Sequence, residues 1–303
     1  MPRLSYIVAP GYGHLLRGTP EVKVTRFPDG EFSFTLEPHK VVGNDVIVLG
    51  GCHSAEASET MLALAYEAAR FNPASLTVLI TYFRNARSER SPNGEAVLAK
   101  FQANLWSGLG LVYPGVKLVF IDLHTDLILN YFTGAVRTVN QSLSFRNMLL
   151  SECFQVMSRD PLPWSHSTTV LATVDDGRAS AIRKMAAAAN CGFASITKKR
   201  LSGSETKVHE VHGDSVDGRD VIIIDDMVST GSSLDNAVQA YKERGARRVF
   251  ACITHGVFTE GALERLKASG LDHMLVTDSH PNAVAASRLR GLTVLGLSMT
   301  ALS

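Results

Sequence analysis

The sequence predicts an α/β protein with two doubly wound domains whose sheets are mostly parallel. Short apolar segments rich in Val and Ile alternate with amphipathic helical segments in both halves of the chain, an order typical of parallel sheets covered by helices. A chain of 303 residues is long enough for about two domains of ordinary size. We place these domains at residues 1–146 and 147–303, and we consider residues 288–303 a candidate to pack back on the first domain.

The composition favours a folded enzyme and argues against several other classes of protein. Hydrophobic residues make up 45% of the chain and charged residues 19%, which is typical of soluble globular proteins. With 30 Lys and Arg against 29 Asp and Glu, the net charge of +1 offers no broad positive field for nucleic acid. The sequence has no apolar stretch of about 18 residues, and its 4 cysteines are too scattered for a disulfide framework or a zinc site. We therefore expect a cytoplasmic protein without a nucleic-acid or membrane partner.

The first half of the chain predicts strands, one long helix and a basic loop. Residues 55–70 predict a helix because apolar residues recur there at helical spacing. Residues 82–93 are polar and contain three arginines, so we predict an exposed loop before a helix that begins near Gly94. The predicted strands are 5–8, 22–27, 31–36, 45–49, 76–80 and 116–121, of which 22–27 and 31–36 form a hairpin.

The second half repeats the alternation of strands and helices. It begins with a helix at 143–157, followed by a Pro-Leu-Pro turn. Residues 201–210 contain few apolar side chains, and we predict a mobile loop there. Further helices are predicted at 178–189, from 234 to about 245, and at 260–268. The predicted strands are 168–172, 193–196, 221–224, 249–253, 274–276 and 292–297.

The segment from Val221 to Ser233 predicts a strand, a phosphate-binding turn and a helix start. Four consecutive β-branched residues suit a strand that is buried on both faces, and this strand ends in Asp225 and Asp226. The small residues 229–233 follow, with hydroxyls and backbone N–H groups that bind phosphate at a helix start. Because two carboxylates would repel a bare phosphate, we expect a ligand that carries ribose hydroxyls or a metal beside its phosphate. An ordinary helix cap beside an acidic strand end is the alternative interpretation.

Charged clusters also follow other predicted strands. In open α/β sheets, ligands bind beyond the carboxyl ends of the strands. Taken singly, a histidine in such a cluster is often structural, and a run of charges is often only a solvated surface. Their shared position at strand ends is therefore the observation that indicates a site. The clusters are Arg84 with Arg87 and Arg90, Asp122-Leu123-His124 with Asp126, Asp175-Asp176, and Lys198-Lys199-Arg200.

These clusters form part of six motifs that resemble, in order and over nearly the whole chain, those of ribose-phosphate pyrophosphokinases. This family is also called the phosphoribosyl pyrophosphate (PRPP) synthetases. Type I phosphoribosyltransferases share only the last motif. The six motifs are Phe27–Glu31 for the adenosine hairpin, Asn85–Arg90 for the Arg-rich flag loop, Asp122–His124 for the metal and triphosphate segment, Asp175–Gly177 for the pyrophosphate loop, Lys198–Arg200 for the catalytic strand end, and Asp225–Ser233 for the ribose-phosphate loop.

The resemblance implies the fold of type I phosphoribosyltransferases in both domains and an ATP-dependent reaction. A pyrophosphoryl group would pass from ATP to the 1-hydroxyl of ribose 5-phosphate, giving PRPP and AMP, with Mg²⁺ as the cofactor. By matching positions, the implied site residues are Lys198 and Arg200 for catalysis; Phe27, Asp29, Gly30, Glu31, Arg87 and Ser88 for ATP; Asp225, Asp226, Ser229, Thr230, Gly231, Ser232 and Ser233 for ribose 5-phosphate; and His124, Asp175 and Asp122 for the metal.

Three positions depart from the usual pattern of the family. Ser88 replaces a Gln, Arg178 replaces a second Gly of the pyrophosphate loop, and Ser229 stands where the best-known members often have Asp. The resemblance also implies a homo-oligomer built from dimers, up to a hexamer, in which the hairpin of one subunit meets Arg87 of its neighbour. The alternative for Phe27 is that its ring packs into its own sheet.

Two other functions stay open at the level of the sequence. The first is a type I phosphoribosyltransferase, which the ribose-phosphate loop alone would favour but the chain length and the adenosine hairpin disfavour. The second is a non-catalytic subunit that binds PRPP synthetases. The presence of Lys198, Arg200, His124 and Asp175 argues against this second function.

Overall fold

The computed structural model describes residues 2–136, 141–200 and 207–297. Residues 201–206, which belong to the predicted mobile loop, lie outside the described residues, as do residues 298–303 of the predicted tail. At some positions the structure describes the backbone but not the side chain: 135, 141, 198–200 and 207–209.

The chain folds into two compact units. The first contains the described residues up to Ser144, together with 279–281 and 296–297. The second contains residues 145–278 and 282–295. Residues 288–295, which the sequence analysis considered for the first domain, are therefore part of the second unit, because their strand pairs with the second sheet.

The first unit is built on a parallel sheet. Its strand order is β1-β4-β5-β6-β7, and all four pairings are parallel. The short strands β2 and β3 pair antiparallel as a separate hairpin. Among the described residues, the strands of this unit are β1 (Leu4–Val8), β2 (Val24–Arg26), β3 (Phe32–Phe34), β4 (Asp45–Gly50), β5 (Ser75–Ile80), β6 (Lys117–Ile121) and β7 (Gln141–Leu143).

The helices of the first unit follow the predicted pattern, with one late start. They are α1 (Pro38–Val41), α2 (Ala55–Arg70), α3 (Leu98–Ser107) and α4 (Leu109–Val112). Helix α2 begins where the sequence predicts, because the Ser54 hydroxyl accepts a hydrogen bond from the Ala57 N–H at 3.0 Å. The helix predicted near Gly94 begins instead at Leu98, after the loop has been closed by hydrogen bonds to Ser88.

The second unit has a larger sheet in the order β10-β9-β8-β11-β12-β13-β14. All of its pairings are parallel except that of β10 with β9. Its strands are β8 (Thr169–Ala172), β9 (Gly192–Arg200), β10 (Lys207–Gly213), β11 (Asp220–Val228), β12 (Arg248–Gly256), β13 (His273–Thr277) and β14 (Leu292–Leu295). The helices from Phe145 onward are α5 (Arg146–Arg159), α6 (Ala179–Ala188), α7 (Ser232–Glu243), α8 (Ala262–Ala268) and α9 (Pro281–Ala285).

Two predictions about the second unit were wrong in their boundaries. Residues 207–210, predicted as part of a mobile loop, form the start of β10, because they pair with the polar end of β9. Strand β11 runs on to Val228, since its neighbour β12 extends as far as Gly256 and pairs with it there. Asp225 and Asp226 therefore lie within the strand and not after it.

Strand β11 lies at the centre of the second sheet and is buried on both faces, as predicted. Val221 and Ile223 pack into one apolar cluster, and Ile222 and Ile224 pack into another. Since β8, β9 and β11 are parallel, their carboxyl ends meet at one edge of the sheet. In the described part of the chain, no helix has the length and apolar character needed to cross a lipid bilayer.

Candidate active site

The segment after β11 forms a tight turn at the start of α7. Gly231 has a φ of +78°, in the left-handed region that favours glycine, and stands at the N-cap of the helix. The Ser232 N–H lies 3.4 Å from the Thr230 hydroxyl oxygen, too long for a strong cap. Ser229 lies on the turn before them, where its carbonyl accepts the Thr259 N–H at 3.1 Å. Helix α7 therefore has no side-chain hydrogen bond at its N-cap, and N–H groups at such a helix start suit an anion. Phosphate binding by residues 229–233 stays a prediction.

Two carboxylates and one guanidinium lie directly before this turn. Arg178 approaches Asp225 with its Nε, 3.5 Å from Oδ1, and Asp226 with its Nη2, 3.1 Å from Oδ2. The backbone N–H of Asp226 also donates to Asp225 Oδ1, at 2.9 Å. Asp226 is buried, whereas Asp225 and Arg178 keep 18% and 15% of their side chains exposed. The Arg178 side chain thus joins the predicted pyrophosphate segment to the predicted ribose-phosphate segment, although its position departs from the usual family pattern.

The environment of Asp225 disfavours its charged form. Burial raises the pKa of the Asp225 carboxyl well above its usual range, the adjacent Asp226 raises it further, and the Arg178 guanidinium opposes the rise. Among the side chains that the structure describes, two carboxylates share a single arginine at this end of the strand, an excess of acidic groups over basic ones. A ligand that brings hydroxyl donors or a cation would relieve that excess.

The predicted pyrophosphate segment follows β8. The Asp175 carboxylate accepts a hydrogen bond from the Gly177 N–H at 3.0 Å, which closes a short turn. Residues Asp176–Arg178 then form a single turn of 3-10 helix that leads into α6. Asp175 is partly exposed at the carboxyl end of its strand, the position at which a metal or phosphate ligand is expected.

Lys198 and Arg200 lie at the end of β9, which is the neighbour of β8 in the sheet. Their backbone is described and their side chains are not. Because β9 runs parallel to β8, the two positions belong to the same edge of the sheet as Asp175 and Asp225. Their catalytic role stays a prediction.

In the first unit, Asp122 follows β6 in a rare backbone conformation. Asp122 is buried and has a φ of +40°, which is uncommon for a residue with a side chain and recurs at functional sites. Hydrogen bonds hold this backbone: the Asp122 N–H donates to the Leu143 carbonyl at 2.7 Å, and the Leu123 N–H donates to the Ser142 hydroxyl at 3.0 Å. His124 follows, partly exposed, just before a short 3-10 turn.

The predicted adenosine hairpin presents its aromatic residue to solvent. Phe27 is 45% exposed, so a large part of its ring is open to solvent. The hairpin tip is closed by its own backbone, with the Phe27 N–H donating to the Glu31 carbonyl at 2.8 Å and the Gly30 N–H donating to the Phe27 carbonyl at 3.0 Å. The Asp29 carboxylate accepts the Glu31 N–H at 3.1 Å, so one of its oxygens supports the turn.

The Arg-rich loop is closed by the residue that departs from the family. The Ser88 hydroxyl donates to the Ala96 carbonyl at 2.8 Å and accepts the Leu98 N–H at 3.3 Å. This hydroxyl therefore shapes the loop, and a contact with ATP would have to compete with these two bonds. Arg87 is exposed. The Tyr131 hydroxyl donates to the Glu89 carbonyl at 2.6 Å and anchors the loop, a contact for which the sequence carries no signal.

Two of the three predicted metal ligands, Asp122 and Asp175, are of the oxygen donor type that suits Mg²⁺, whereas the imidazole of His124 is not. Among the residues that the structure describes, no three His, Cys, Asp or Glu side chains lie close enough together to hold a metal ion. Mg²⁺ commonly takes only one or two protein carboxylates and fills its other positions with water and substrate phosphates. Asp122 and Asp175 each provide carboxylate oxygens at a strand end, which is the donor type that Mg²⁺ prefers.

Known proteins resemble this chain along most of its length. A family model described as "N-terminal domain of ribose phosphate pyrophosphokinase" matches residues 13–110, and one described as "Phosphoribosyl synthetase-associated domain" matches residues 173–301. A ribose-phosphate pyrophosphokinase of Burkholderia pseudomallei is 32% identical, over 90% of this chain and 83% of its own length. One of Vibrio parahaemolyticus is also 32% identical, over 92% of this chain and 84% of its own length. The chain belongs to the ribose-phosphate pyrophosphokinase family.

A solved member of this family has the same fold. The phosphoribosylpyrophosphate synthetase of Mycobacterium smegmatis superimposes with a TM-score of 0.81, covering 99% of this chain and 96% of its own, at 23% identity. The predicted fold class of two mostly parallel α/β domains is thereby confirmed. One family model matches the first half of this chain and the other matches the second half. A type I phosphoribosyltransferase, the alternative function, needs only one such domain.

Proposed function

We propose that the chain transfers the pyrophosphoryl group of ATP to the 1-hydroxyl of ribose 5-phosphate, forming PRPP and AMP. The observation that carries this proposal is the end of β11, where an uncapped helix start lies directly after two carboxylates. The helix start suits a phosphate, and the carboxylates suit sugar hydroxyls. Membership of the ribose-phosphate pyrophosphokinase family supports the same substrates.

The second unit would hold ribose 5-phosphate. The N–H groups and hydroxyls of residues 229–233 bind the 5-phosphate, and the left-handed Gly231 lets the backbone approach it closely. The Asp225 carboxylate accepts hydrogen bonds from the ribose hydroxyls, and Asp226 supports it from the buried side. A phosphate at one end and hydroxyls at the other fix the direction in which the sugar lies.

The first unit would bind ATP through its exposed segments. The Phe27 ring offers a flat apolar face to adenine, while Asp29 and Glu31 accept hydrogen bonds around it. Arg87 would contact the phosphates of the nucleotide. When bound, Mg²⁺ neutralises charge on the nucleotide phosphates, with ligands that we assign to His124, Asp122 and Asp175.

Catalysis in this proposal depends on alignment and charge. Phosphoryl transfer requires little covalent work by the protein, so the residues act by positioning both substrates and stabilising developing negative charge. Positions 198 and 200 lie at the same sheet edge as Asp175 and Asp225, which supports our assignment of Lys198 and Arg200 to that role. The cations would stabilise the pyrophosphoryl group as it transfers.

We also propose that the enzyme acts in the cytoplasm as a homo-oligomer built from dimers. The exposed Phe27 motivates the oligomer, because adenine stacking by a hairpin tip is completed most simply by residues of a second subunit. An inactive Phe27→Ala subunit mixed with an inactive Lys198→Ala subunit should then regain partial activity. An active monomer in sedimentation, or no activity in proven mixed oligomers, contradicts the shared site.

The reaction itself is tested by AMP formation from ATP, measured with and without ribose 5-phosphate. We expect AMP and PRPP to form in equal amounts and only with the sugar phosphate and Mg²⁺. Ribose without its phosphate is the control substrate, because it cannot use the helix start of α7. Release of pyrophosphate from PRPP that requires a nucleobase, without any AMP formation, would support a phosphoribosyltransferase instead. Binding to an active PRPP synthetase without turnover would support the regulatory subunit.

A further inference from the structure

Arg178 makes contacts that restrain one oxygen of the Asp225 carboxylate. The Arg178 Nε lies 3.5 Å from Asp225 Oδ1, and the same oxygen accepts the Asp226 N–H at 2.9 Å. Both contacts fall on Oδ1, so rotation of the carboxylate is restrained while Oδ2 takes part in neither of them. An ionised carboxylate accepts hydrogen bonds at both oxygens, so Oδ2 keeps that capacity.

The guanidinium is itself held by the second carboxylate. The Arg178 Nη2 lies 3.1 Å from Oδ2 of Asp226, whose side chain is only 2% exposed. A carboxylate buried to this degree needs a charged partner, which makes this contact the stable anchor of the arginine. Because a guanidinium is planar and rigid, fixing Nη2 on Asp226 also fixes the position of Nε beside Asp225.

We propose that Arg178 is a specificity-determining positioning residue, which holds the Asp225 carboxylate in the orientation that accepts the vicinal hydroxyls of ribose. This inference rests on the proposed function, in which Asp225 binds the sugar. It predicts that the preference for ribose 5-phosphate over 2-deoxyribose 5-phosphate depends on Arg178. It also predicts that binding of the phosphate alone does not, since the helix start of α7 supplies that contact.

The decisive variant is Arg178→Lys. Lysine keeps a positive charge for the buried Asp226, so the protein is expected to fold, but a single ammonium cannot reproduce the fork that also reaches Asp225. We divide the Kd of 2-deoxyribose 5-phosphate by the Kd of ribose 5-phosphate, and we expect this ratio to fall about tenfold in the variant. Tenfold is the effect of one hydrogen bond to a charged group. Binding of inorganic phosphate, measured by calorimetry on the same protein, should stay within about twofold.

Two further variants separate positioning from general damage. Arg178→Met removes the charge as well, so it should lose at least as much ribose preference and also some thermal stability. Arg183→Met is the matched control, because Arg183 lies on α6, the helix that starts directly after Arg178, with its guanidinium over the Phe193 ring, 4.3 Å from the ring centroid. The control should retain the wild-type preference for ribose.

The possible results give clear decisions. A folded Arg178→Lys protein with the wild-type ratio overturns the inference. An equal loss of affinity for inorganic phosphate and ribose 5-phosphate also overturns it, because Arg178 would then act only as a nearby charge. Tighter binding of ribose 5-phosphate by the variants would show that Arg178 competes with the sugar, which is the opposite of positioning. Wild-type protein that binds neither sugar phosphate and forms no PRPP refutes the proposed function, and the inference with it.

Discussion

Strand β11 has an aspartate–arginine cluster at each end, and the two clusters differ in how completely their carboxylates are paired with arginines. At the start, Asp220 is fully buried and accepts bidentate hydrogen bonds from Arg247, at 3.0 and 2.6 Å, and from Arg248, at 3.0 and 2.7 Å. At the other end, Arg178 contacts both Asp225 and Asp226. The Nη1 of Arg248 also lies 3.2 Å from Oδ1 of Asp160, so two carboxylates pair with two arginines at the first end. Among the described side chains, the two carboxylates at the second end share one arginine.

The two clusters also differ in the pKa of their aspartates, which is lowered at Asp220 and raised at Asp225. Burial alone would raise the pKa of Asp220, but hydrogen bonds from Arg248 and Arg247 outweigh it and hold the pKa below its usual range. At the other end, burial and Asp226 raise the pKa of Asp225 against the effect of Arg178. A buried ion pair is therefore not a sign of function by itself. The cluster with unbalanced charge and partial exposure is the one suited to a ligand.

The largest effect is expected on turnover, when a cation is removed from the carboxyl edge of the second sheet. Lys198→Ala should lower turnover by about 10²–10³-fold, because transition-state charge would lose a fixed partner, while ribose 5-phosphate still binds. Steady-state kinetics and calorimetry check this. Lys199→Ala is the matched control, since successive positions of β9 alternate between faces. Turnover of Lys198→Ala within about threefold of the wild type would remove the catalytic role.

The second effect is on stability, at the start of β11. Asp220→Asn should lower the free energy of unfolding by about 3 kcal/mol, because two arginines lose their charged partner in a buried position. Activity per folded molecule should stay near that of the wild type. The exposed Asp217→Asn serves as the control, with an expected change within about 0.5 kcal/mol. Urea unfolding measures both, and a loss below about 1 kcal/mol for Asp220→Asn would make this cluster unimportant to the fold.

The pH dependence of this cluster has a definite sign. Because the folded pKa of Asp220 is lowered, its stabilising contribution is present above the unfolded value of about 4 and is lost as the pH falls through the folded value. The free energy of unfolding of the wild type should therefore decrease on acidification in that range. The Asp220→Asn protein should lose less over the same range, and parallel curves for the two proteins would contradict the assignment.

Asp225→Asn should have the opposite effect to Asp220→Asn: it should weaken substrate binding without lowering the stability of the protein. Affinity for ribose 5-phosphate is expected to fall about tenfold or more, because a charged acceptor is replaced by a neutral amide. The free energy of unfolding should not fall. A raised folded pKa means that ionisation costs stability as the pH rises, so any gain in the variant should grow with pH. A clear loss of stability with unchanged affinity would make the two ends of β11 alike.

The smallest effect comes from a pair of glycines with the same backbone conformation. Gly231 and Gly261 both have a φ of +78° and stand at the N-caps of α7 and α8. Alanine at either position should lower the free energy of unfolding by about 1–2 kcal/mol, the cost of a left-handed side-chain residue. A Cβ at Gly231 would also lie 3.2 Å from Leu266 and 3.3 Å from the Ala262 carbonyl, whereas nothing lies within 4 Å at Gly261.

This pair separates conformational strain from a role in phosphate binding. Gly231→Ala should weaken inorganic phosphate binding, since the turn must shift, and Gly261→Ala should not. Calorimetry with phosphate provides the measurement for both proteins. Equal phosphate affinity in the two variants would argue against the start of α7 as the phosphate site.

Local patterns determined much of the fold. The apolar run of β11 and the periodicity of α2 identified their elements, because burial on both faces or on one stripe constrains residue type directly. The first residues of β10 were missed because they are mostly polar, and their strand conformation depends on pairing with the equally polar end of β9. Such pairing is a long-range property that a single-sequence pattern does not contain.

The sequence by itself determined the fold class and the order of the charged segments along the chain. It could not determine which acidic and basic residues become partners, because Arg178 meets Asp225 and Asp226 only after the parallel pairing of β8 and β11 brings distant segments to one edge. The same limit applies to Ser88, whose hydroxyl is engaged by its own loop. Ion pairs and burial depend on three-dimensional proximity, so the tertiary structure decided the charge balance that distinguishes the two ends of β11.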